Sequence, residues 1–177
     1  MGGNPILLFI AVFVWLAASS ESHAVQMREV ARGMITDDAM ITRFERLGPA
    51  SRVEDAVQCL IRTTQHEFPV VDDSGRLIGL LTRDELIRAL REHGPETPVT
   101  EVMRRDIPTL RHRRGLDEAL RLMQQGRLPA VGVTDAADRL IGFVTPENIG
   151  EMMMVEAARP ARGRPSLWKP VPSRPAG

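Results

Sequence analysis

Two short segments of this sequence place a glycine, a threonine and a hydrogen-bonding residue in the same order. They read GLLTRDEL from Gly79 and GFVTPENI from Gly142. A glycine lets a ligand or a second backbone approach closely, because it has no Cβ atom. A threonine that begins a helix brings its hydroxyl and free backbone N–H groups to the positive end of the helix dipole. Phosphate binds readily at such a position.

The third residue of each segment leaves two interpretations open. Glu85 stands three residues after Thr82, and Asn148 stands three residues after Thr145. Both side chains can accept a hydrogen bond from a ligand. Thr82 with Glu85 also matches the capping box, in which the two side chains satisfy the first turn of a helix and no ligand is needed.

The sequence contains no recognisable catalytic or metal-binding constellation. It has no P-loop, no dinucleotide-binding glycine motif and no G-x-S-x-G nucleophile motif. His66-Glu67 is followed by Phe68-Pro69-Val70, so the second histidine of an HExxH zinc helix is missing. We therefore predict that this chain is not an enzyme and that it holds no metal.

An internal repeat positions the two segments. Shifting residues 40–90 by 63 places them on residues 103–153 without a gap, and ten of the 51 aligned positions are identical. Each copy predicts a short strand, an amphipathic helix, two strands around an Asp-rich turn and a second helix. The predicted elements of the first copy are a helix over 53–61 with a Ser51–Glu54 capping box, strands over 68–71 and 76–81, and a helix over 83–93. Those of the second are a helix over 116–125 closed by Gly126, strands over 130–133 and 139–144, and a helix that begins at Thr145-Pro146.

Both ends of the chain differ from the repeat. Residues 6–18 are apolar without interruption, which leaves three alternatives: a signal peptide, a buried helix of a larger assembly, or a membrane helix. We favour the membrane helix because no cation precedes the run, and Arg28 and Arg32 after it place the rest of the chain in the cytoplasm. Residues 159–177 are basic and proline-rich and predict a disordered tail.

Composition excludes further classes. The 23 basic and 23 acidic residues cancel, and aromatic residues make up 4% of the chain. General nucleic-acid binding requires a basic excess, so we expect no nucleic-acid partner. One cysteine excludes an internal disulfide framework.

The repeat and its two Gly-x-x-Thr segments resemble a tandem pair of cystathionine-β-synthase (CBS) domains over residues 36–155. The resemblance implies a pseudo-symmetric module with two clefts that bind an adenine nucleotide (ATP, ADP or AMP) to regulate an attached enzyme or transporter. Family members usually carry an Asp that holds the ribose one turn after the threonine, where this chain has Glu85 and Asn148. The nucleotide-binding residues implied are Gly79, Thr82, Glu85, Gly142, Thr145 and Asn148.

The N-terminal stretch GNPILLFIAVFVWLAASSE and the ending TPENIGEMMMVEAA resemble membrane-embedded zinc proteases of the site-2 protease family, in the subgroup with a cytosolic CBS pair. This second resemblance implies a zinc-protease membrane domain as partner. The chain would then be the regulatory C-terminal piece of such a protease.

These observations predict an α/β fold of two β-α-β-β-α repeats preceded by a membrane-type helix. The predicted organisation is a hydrophobic helix and stalk over 1–34, domains over 35–94 and 95–157, and the tail over 158–177. The predicted function is adenine-nucleotide sensing at the membrane, with the CBS pair cytoplasmic and forming a homodimer. The alternative is a structural or dimerisation module that binds no nucleotide.

Overall fold

The computed structural model describes residues 33–158 of the chain. Helices and strands alternate through this range, as the repeat predicted. The helices are α1 (Thr36–Ala39), α2 (Val53–Arg62), α3 (Arg83–Glu92), α4 (Val99–Val102), α5 (Leu116–Gly126) and α6 (Pro146–Ala157). The strands are β1 (Glu67–Val71), β2 (Leu77–Thr82), β3 (Thr109–Arg111), β4 (Val131–Thr134) and β5 (Leu140–Val144).

Each repeat contains an antiparallel hairpin whose turn is fixed by an aspartate. In the β1–β2 hairpin, the Asp72 carboxylate accepts hydrogen bonds from the backbone N–H groups of Ser74 at 3.0 Å and Arg76 at 2.8 Å. Asp135 holds the β4–β5 hairpin in the same way, through the N–H groups two and four residues ahead. Such side-chain bonds favour a tight turn over continued extended chain.

The sequence repeat is a structural repeat. The offset of 63 residues superposes α1 on α4, α2 on α5, β1 on β4, β2 on β5 and α3 on α6. The short strand before each amphipathic helix is also present, since β3 runs parallel to β4 and Leu47 makes the equivalent parallel bridge to Val70. The predicted α/β architecture of two related units is therefore confirmed for the described residues.

Two segments cross from one repeat to the other. We call residues 34–41 and 98–104 the crossing segments. Ile41 in the first exchanges backbone hydrogen bonds of 2.8 and 3.2 Å with Phe143 of the second repeat. Arg104 in the second exchanges two bonds of 2.9 Å with Leu80 of the first repeat. Each repeat is thus completed by chain that precedes the other.

The cores follow the same exchange. Ala39 of the first crossing segment is buried with the core of the second repeat, and Val99 and Met103 of the other segment are buried with the core of the first. A third cluster lies where the repeats meet, and we call it the junction. Its members are Leu80, Ala130 and Phe143, with Ile41, Phe44 and Ile107 packed against them.

Two predicted helix ends differ in the structure. Helix α2 starts after Arg52, whose N–H donates to Asp55 at 2.8 Å, while the Ser51 hydroxyl accepts instead from the N–H of Gly48 at 3.0 Å. The Ser51–Glu54 capping box was therefore wrong by one residue, because the preceding turn already uses the serine. At the end of α5 the left-handed residue is Arg127, with φ 49°, and not Gly126.

The predicted membrane helix and the predicted tail fall almost wholly on residues 1–32 and 159–177, outside the described range. Between residues 33 and 158, none of the helices is both long enough and apolar enough to span a membrane.

Candidate functional site

The Thr82 segment lies at the end of β2 and forms a reciprocal cap on α3. The Thr82 hydroxyl accepts from the N–H of Glu85 at 3.3 Å, and the Glu85 carboxylate accepts from the Thr82 N–H at 3.0 Å and its hydroxyl at 2.9 Å. The Glu85 side chain is only 14% exposed. The capping-box interpretation is therefore present in the structure, and it occupies the groups that were predicted to meet a ligand.

The Thr145 segment begins α6 with a different set of bonds. Thr145 is 3% exposed, and its hydroxyl accepts from the backbone N–H of Asn148 at 3.2 Å. It also donates to the Asn148 side-chain oxygen at 2.5 Å. This bond fixes the Asn148 amide, and its nitrogen has no hydrogen-bond partner among the described residues.

The two glycines admit the crossing segments. A Cβ atom on Gly79 would lie 2.4 Å from Met103 Sδ and 3.0 Å from the Arg104 carbonyl oxygen. One on Gly142 would lie 2.9 Å from the Ile41 carbonyl oxygen and 3.0 Å from Met40 Sδ. The sequence left open whether a ligand or a second backbone approaches these glycines. In the structure, backbone and a methionine side chain lie against both of them.

A cleft of about 540 Å³ opens beside Asn148. We call it the Asn148 cleft. It lies between the chain after the first crossing segment, the chain that enters β1, and the start of α6. Its volume lies in the range of small-molecule sites, roughly 300–1,000 Å³. Its lining residues are Ile41, Arg43, Phe44, Glu45, Thr63, Thr64, Gln65, His66, Glu67, Glu147, Asn148 and Glu151.

The cleft combines an apolar wall with polar groups. Ile41 and Phe44 line it, and the Phe44 ring also meets the Phe143 ring edge to face at 5.2 Å. Gln65 is held by hydrogen bonds to the Glu45 backbone, accepting from its N–H at 2.8 Å and donating to its carbonyl at 3.0 Å. The ordered wall and fixed amides suit a flat apolar ring that carries a few polar substituents.

One carboxylate of the cleft, Glu67, has a shifted pKa. Burial raises the pKa of Glu67 above its ordinary value, and the charge of Glu147 raises it further. His66 and Arg83 act in the opposite direction and lower that pKa.

The equivalent positions on the other repeat form what we call the Glu85 region, whose charged residues are Asp84, Glu85, Arg88, Arg104, Asp106 and Arg127. Here the Arg104 guanidinium lies 3.4 Å from the Glu85 carboxylate and donates to the Arg127 carbonyl at 3.5 Å. Arg104 takes the place that Ile41 has in the Asn148 cleft. The two predicted sites are therefore not brought together, and the residues that surround them differ in charge.

The sequence pointed to Asn148 but missed most of its surroundings. Phe44 and Gln65 lie outside the motifs that the sequence pointed to, and Glu67 was considered only as part of an incomplete HExxH motif. The signal that could have found them is positional, because residues just before a buried strand lie at the edge of its sheet. In the described part of the chain, no group of three or more His, Cys, Asp or Glu side chains is placed to hold a metal ion.

Comparison with known proteins adds a family. The family model of the CBS domain matches residues 32–92 and 99–153 of this chain. Inosine-5′-monophosphate dehydrogenase of Methanocaldococcus jannaschii is 26% identical over 140 residues, which cover 78% of this chain and 28% of that enzyme. The chain spans between 19% and 28% of the length of three curated relatives that it matches.

Solved structures share the fold. The CBS domain pair of protein MJ0100, solved in complex with 5′-methylthioadenosine and S-adenosyl-L-methionine, is 23% identical with a TM-score of 0.62. The match covers 70% of this chain and 98% of that one. CBSX2 in complex with AMP is 22% identical with a TM-score of 0.56, and the match covers 68% of this chain and 94% of that one. CBSX2 comes from Arabidopsis thaliana.

Proposed function

This chain belongs to the CBS domain family as a tandem pair, and we propose that it is a regulatory module that binds an adenosine-containing ligand in the Asn148 cleft. The observation that carries the proposal is the cleft itself, about 540 Å³ with Ile41 and Phe44 on one side and Asn148 on another. Two pairs of the same fold were solved with adenosine compounds, which supports this ligand class.

Three residues of the cleft lining have a physical part in this proposal. Ile41 and Phe44 contact the purine, since aromatic and aliphatic surface stabilises a flat ring by burial. Asn148, held by the buried Thr145 hydroxyl, presents its amide nitrogen to a ribose hydroxyl. A neutral hydrogen bond of this kind contributes about 0.5–1.5 kcal/mol.

The test is calorimetric titration of the purified full chain with adenosine, 5′-methylthioadenosine and AMP. We expect saturable binding of at least one of them, weakened about threefold or more by Asn148→Ala. Gln125→Ala is the matched control, because it removes an amide from the exposed end of α5. Absence of binding by all three compounds, or equal affinity of the Asn148→Ala variant and the parent, would contradict the proposal.

We further propose that the module is attached to a site-2-type membrane protease on the cytoplasmic side of a membrane. The support is the sequence resemblance of the N-terminal apolar stretch, together with the lack of an HExxH motif in the chain itself. The chain should then fractionate with membranes and resist extraction by high salt. Recovery of the full chain in the soluble fraction, or cleavage near Ser20, would contradict the membrane attachment.

The second candidate function is a dimerisation module without a ligand. It is favoured by apolar side chains that the fold leaves exposed on the packed helices α2 and α3: Ile61 is 72% exposed, Ile87 52% and Leu90 37%. A homodimer through these helices would cover them. Light scattering should show a dimer for the parent and a monomer for Ile87→Glu, with Arg88→Glu as the control that adds a carboxylate one residue away. A monomeric parent would rule this assembly out.

A further inference from the structure

The ionisable side chains that line the Asn148 cleft are mostly carboxylates. Four carboxylates and one guanidinium leave a formal charge of −3 when the histidine is neutral. A phosphate ester entering this lining meets net repulsion, which is stronger near a protein surface than in bulk water. The set consists of Glu45, Glu67, Glu147, Glu151, Arg43 and His66.

Nearby cations do not reverse this balance. Arg43 is the one arginine in the lining of the cleft. The guanidinium of Arg46 lies over the Phe44 ring, 5.2 Å from its centroid, and is not part of the lining. Arg83 also lies outside the lining, although its charge lowers the pKa of Glu67. With Arg46 and Arg83 both counted, the formal charge is −1, so it stays negative.

The start of α6 offers little to a phosphate. Pro146 occupies the first helical position and has no N–H group. The N–H of Asn148 already donates to the Thr145 hydroxyl at 3.2 Å. Between them stands Glu147, whose carboxylate belongs to the cleft lining. A helix start with one missing donor, one occupied donor and an acidic side chain is a poor anion site, although helix starts in general favour anions.

The charges of the Glu85 region balance. Its arginines are Arg88, Arg104 and Arg127, and its carboxylates are Asp84, Glu85 and Asp106, which takes the place of Arg43. Arg104 stands beside Glu85 at 3.4 Å, in the position of Ile41. A phosphate has more cationic partners on this side of the molecule than in the Asn148 cleft.

Burial is the largest cause that raises the pKa of Glu67, and the charges of His66 and Arg83 lower it. The charge of Glu147 raises it, so these two carboxylates repel each other. A cationic ligand in the cleft would relieve this repulsion, and an anionic ligand would add to it.

We propose that the Asn148 cleft selects adenosine compounds whose 5′ substituent is a neutral thioether or a cationic sulfonium, and that it discriminates against 5′-phosphates. The inference rests on the proposed function, because it names the ligand class of the same cleft. It is carried by the charge of the lining and by the occupied start of α6.

The experiment compares 5′-methylthioadenosine with AMP, since they share adenosine and differ at the 5′ position. Titrated calorimetrically into the full chain, the thioether should bind about tenfold or more tightly than AMP. S-adenosyl-L-methionine should bind more tightly than S-adenosyl-L-homocysteine, which lacks the sulfonium charge. Both differences should shrink as salt is raised, since screening weakens charge interactions.

A charge-reduced variant separates electrostatics from shape. Glu147→Gln combined with Glu151→Gln should raise AMP affinity about threefold or more and leave 5′-methylthioadenosine within about twofold. Glu92→Gln combined with Glu101→Gln is the control, because it removes two exposed carboxylates outside the cleft lining. Unchanged AMP affinity in the cleft variant would overturn the charge argument.

The outcomes distinguish this inference from the proposed function. AMP that binds more tightly than the thioether, and loses affinity in Asn148→Ala, overturns the selectivity and leaves the adenosine site standing. Binding of neither compound overturns both. AMP binding that is unaffected by Asn148→Ala but lost in Arg104→Ala, while the thioether depends on Asn148, supports the selectivity and assigns phosphate to the Glu85 region.

Discussion

The Thr82 and Thr145 segments have the same backbone role and different surroundings. Both stand at the end of a strand, cap the next helix and follow a glycine that admits a crossing segment. Around Thr82 the cap is closed by Glu85, which Arg104 then contacts. Around Thr145 the cap is closed by Asn148, and a cleft remains open beside it.

This difference separates the positions that build the fold from those that line the Asn148 cleft. Both repeats have a glycine and a methionine at the crossing. A residue larger than glycine would collide with the backbone of the crossing segment. The positions that line the Asn148 cleft are not restricted by such a collision. Ile41 and Arg104 occupy equivalent positions in the two repeats, as do Asn148 and Glu85. A symmetric scaffold therefore carries two regions of unequal charge.

The largest expected effect is at the junction, where both repeats contribute equivalent residues. Phe143→Ala should lower the free energy of unfolding by about 3–5 kcal/mol and Leu80→Ala by about 2–5 kcal/mol, because each leaves a cavity in packed surroundings. Denaturant titration measures both, with Ile61→Ala, at a residue 72% exposed, as the control expected to change little. A loss below about 1 kcal/mol for Phe143→Ala would mean that the repeats do not depend on each other at this contact.

The next effect concerns the glycines under the crossing segments. Gly142→Ala should lower the free energy of unfolding by about 1–3 kcal/mol, because its Cβ would lie 2.9 Å from the Ile41 carbonyl oxygen. Gly150→Ala is the matched control: no heavy atom lies within 4 Å of its Cβ position on α6. That substitution should stabilise the chain by about 0.5–1 kcal/mol, since glycine is costly inside a helix. Equal effects of the two substitutions would remove the crossing as the reason for Gly142.

The local elements of this fold could be predicted from the sequence, because they depend on short-range patterns. The repeat, the aspartate turns and the start of α6 at Thr145-Pro146 all follow from neighbouring residues, and the structure contains each of them. The cap of α2 could not be predicted correctly. Ser51 satisfies the turn at Gly48, and this competition is decided by the fold of the preceding loop.

The site could be predicted only in part, for a different reason. The motif residues lie near each other in sequence, whereas Ile41, Phe44 and Gln65 come from separate parts of the chain. They meet Asn148 in one cleft because the first crossing segment pairs with the second repeat. That exchange is a long-range pairing with no local signal. The charge of the lining likewise becomes visible only when Glu67 and Glu147, 80 positions apart, lie in one cleft.

A smaller effect compares the two caps. Thr82→Ala and Thr145→Ala should each lower the free energy of unfolding by about 0.5–2 kcal/mol. The loss should be greater at Thr145, because this residue is only 3% exposed, whereas Thr82 is half-buried. Thr82→Ser and Thr145→Ser keep the hydroxyl and should stay near the parent.

Ligand titration sharpens the same comparison. Thr145→Ala should weaken binding of 5′-methylthioadenosine by releasing Asn148, and Thr82→Ala should leave that affinity unchanged. Unchanged affinity in both folded variants would show that the Asn148 side chain does not need this support.

The smallest effect is the pH dependence that the acidic cleft adds to stability. The pKa of Glu67 is raised above 4.5, first by burial and then by the charge of Glu147. A carboxyl group with a raised pKa in the folded state stabilises that state while protonated, and this contribution is lost as pH rises from 4.5 through the folded pKa. Asp72 and Asp135 act in the opposite sense: hydrogen bonds lower the pKa of each below 3.8, so their contribution is lost only as pH falls below that value.

Glu67→Gln isolates the contribution of the group whose pKa is raised, because glutamine resembles the protonated form of glutamate at every pH. Its advantage in unfolding free energy over the parent should be small below pH 4.5 and grow as pH rises through the folded pKa of Glu67, as measured by denaturant titration across pH 4–7. Glu101→Gln, an exposed change on α4, is the control and should show no such growth. A constant advantage of Glu67→Gln across this range would show that burial does not raise the pKa of Glu67 in the folded chain.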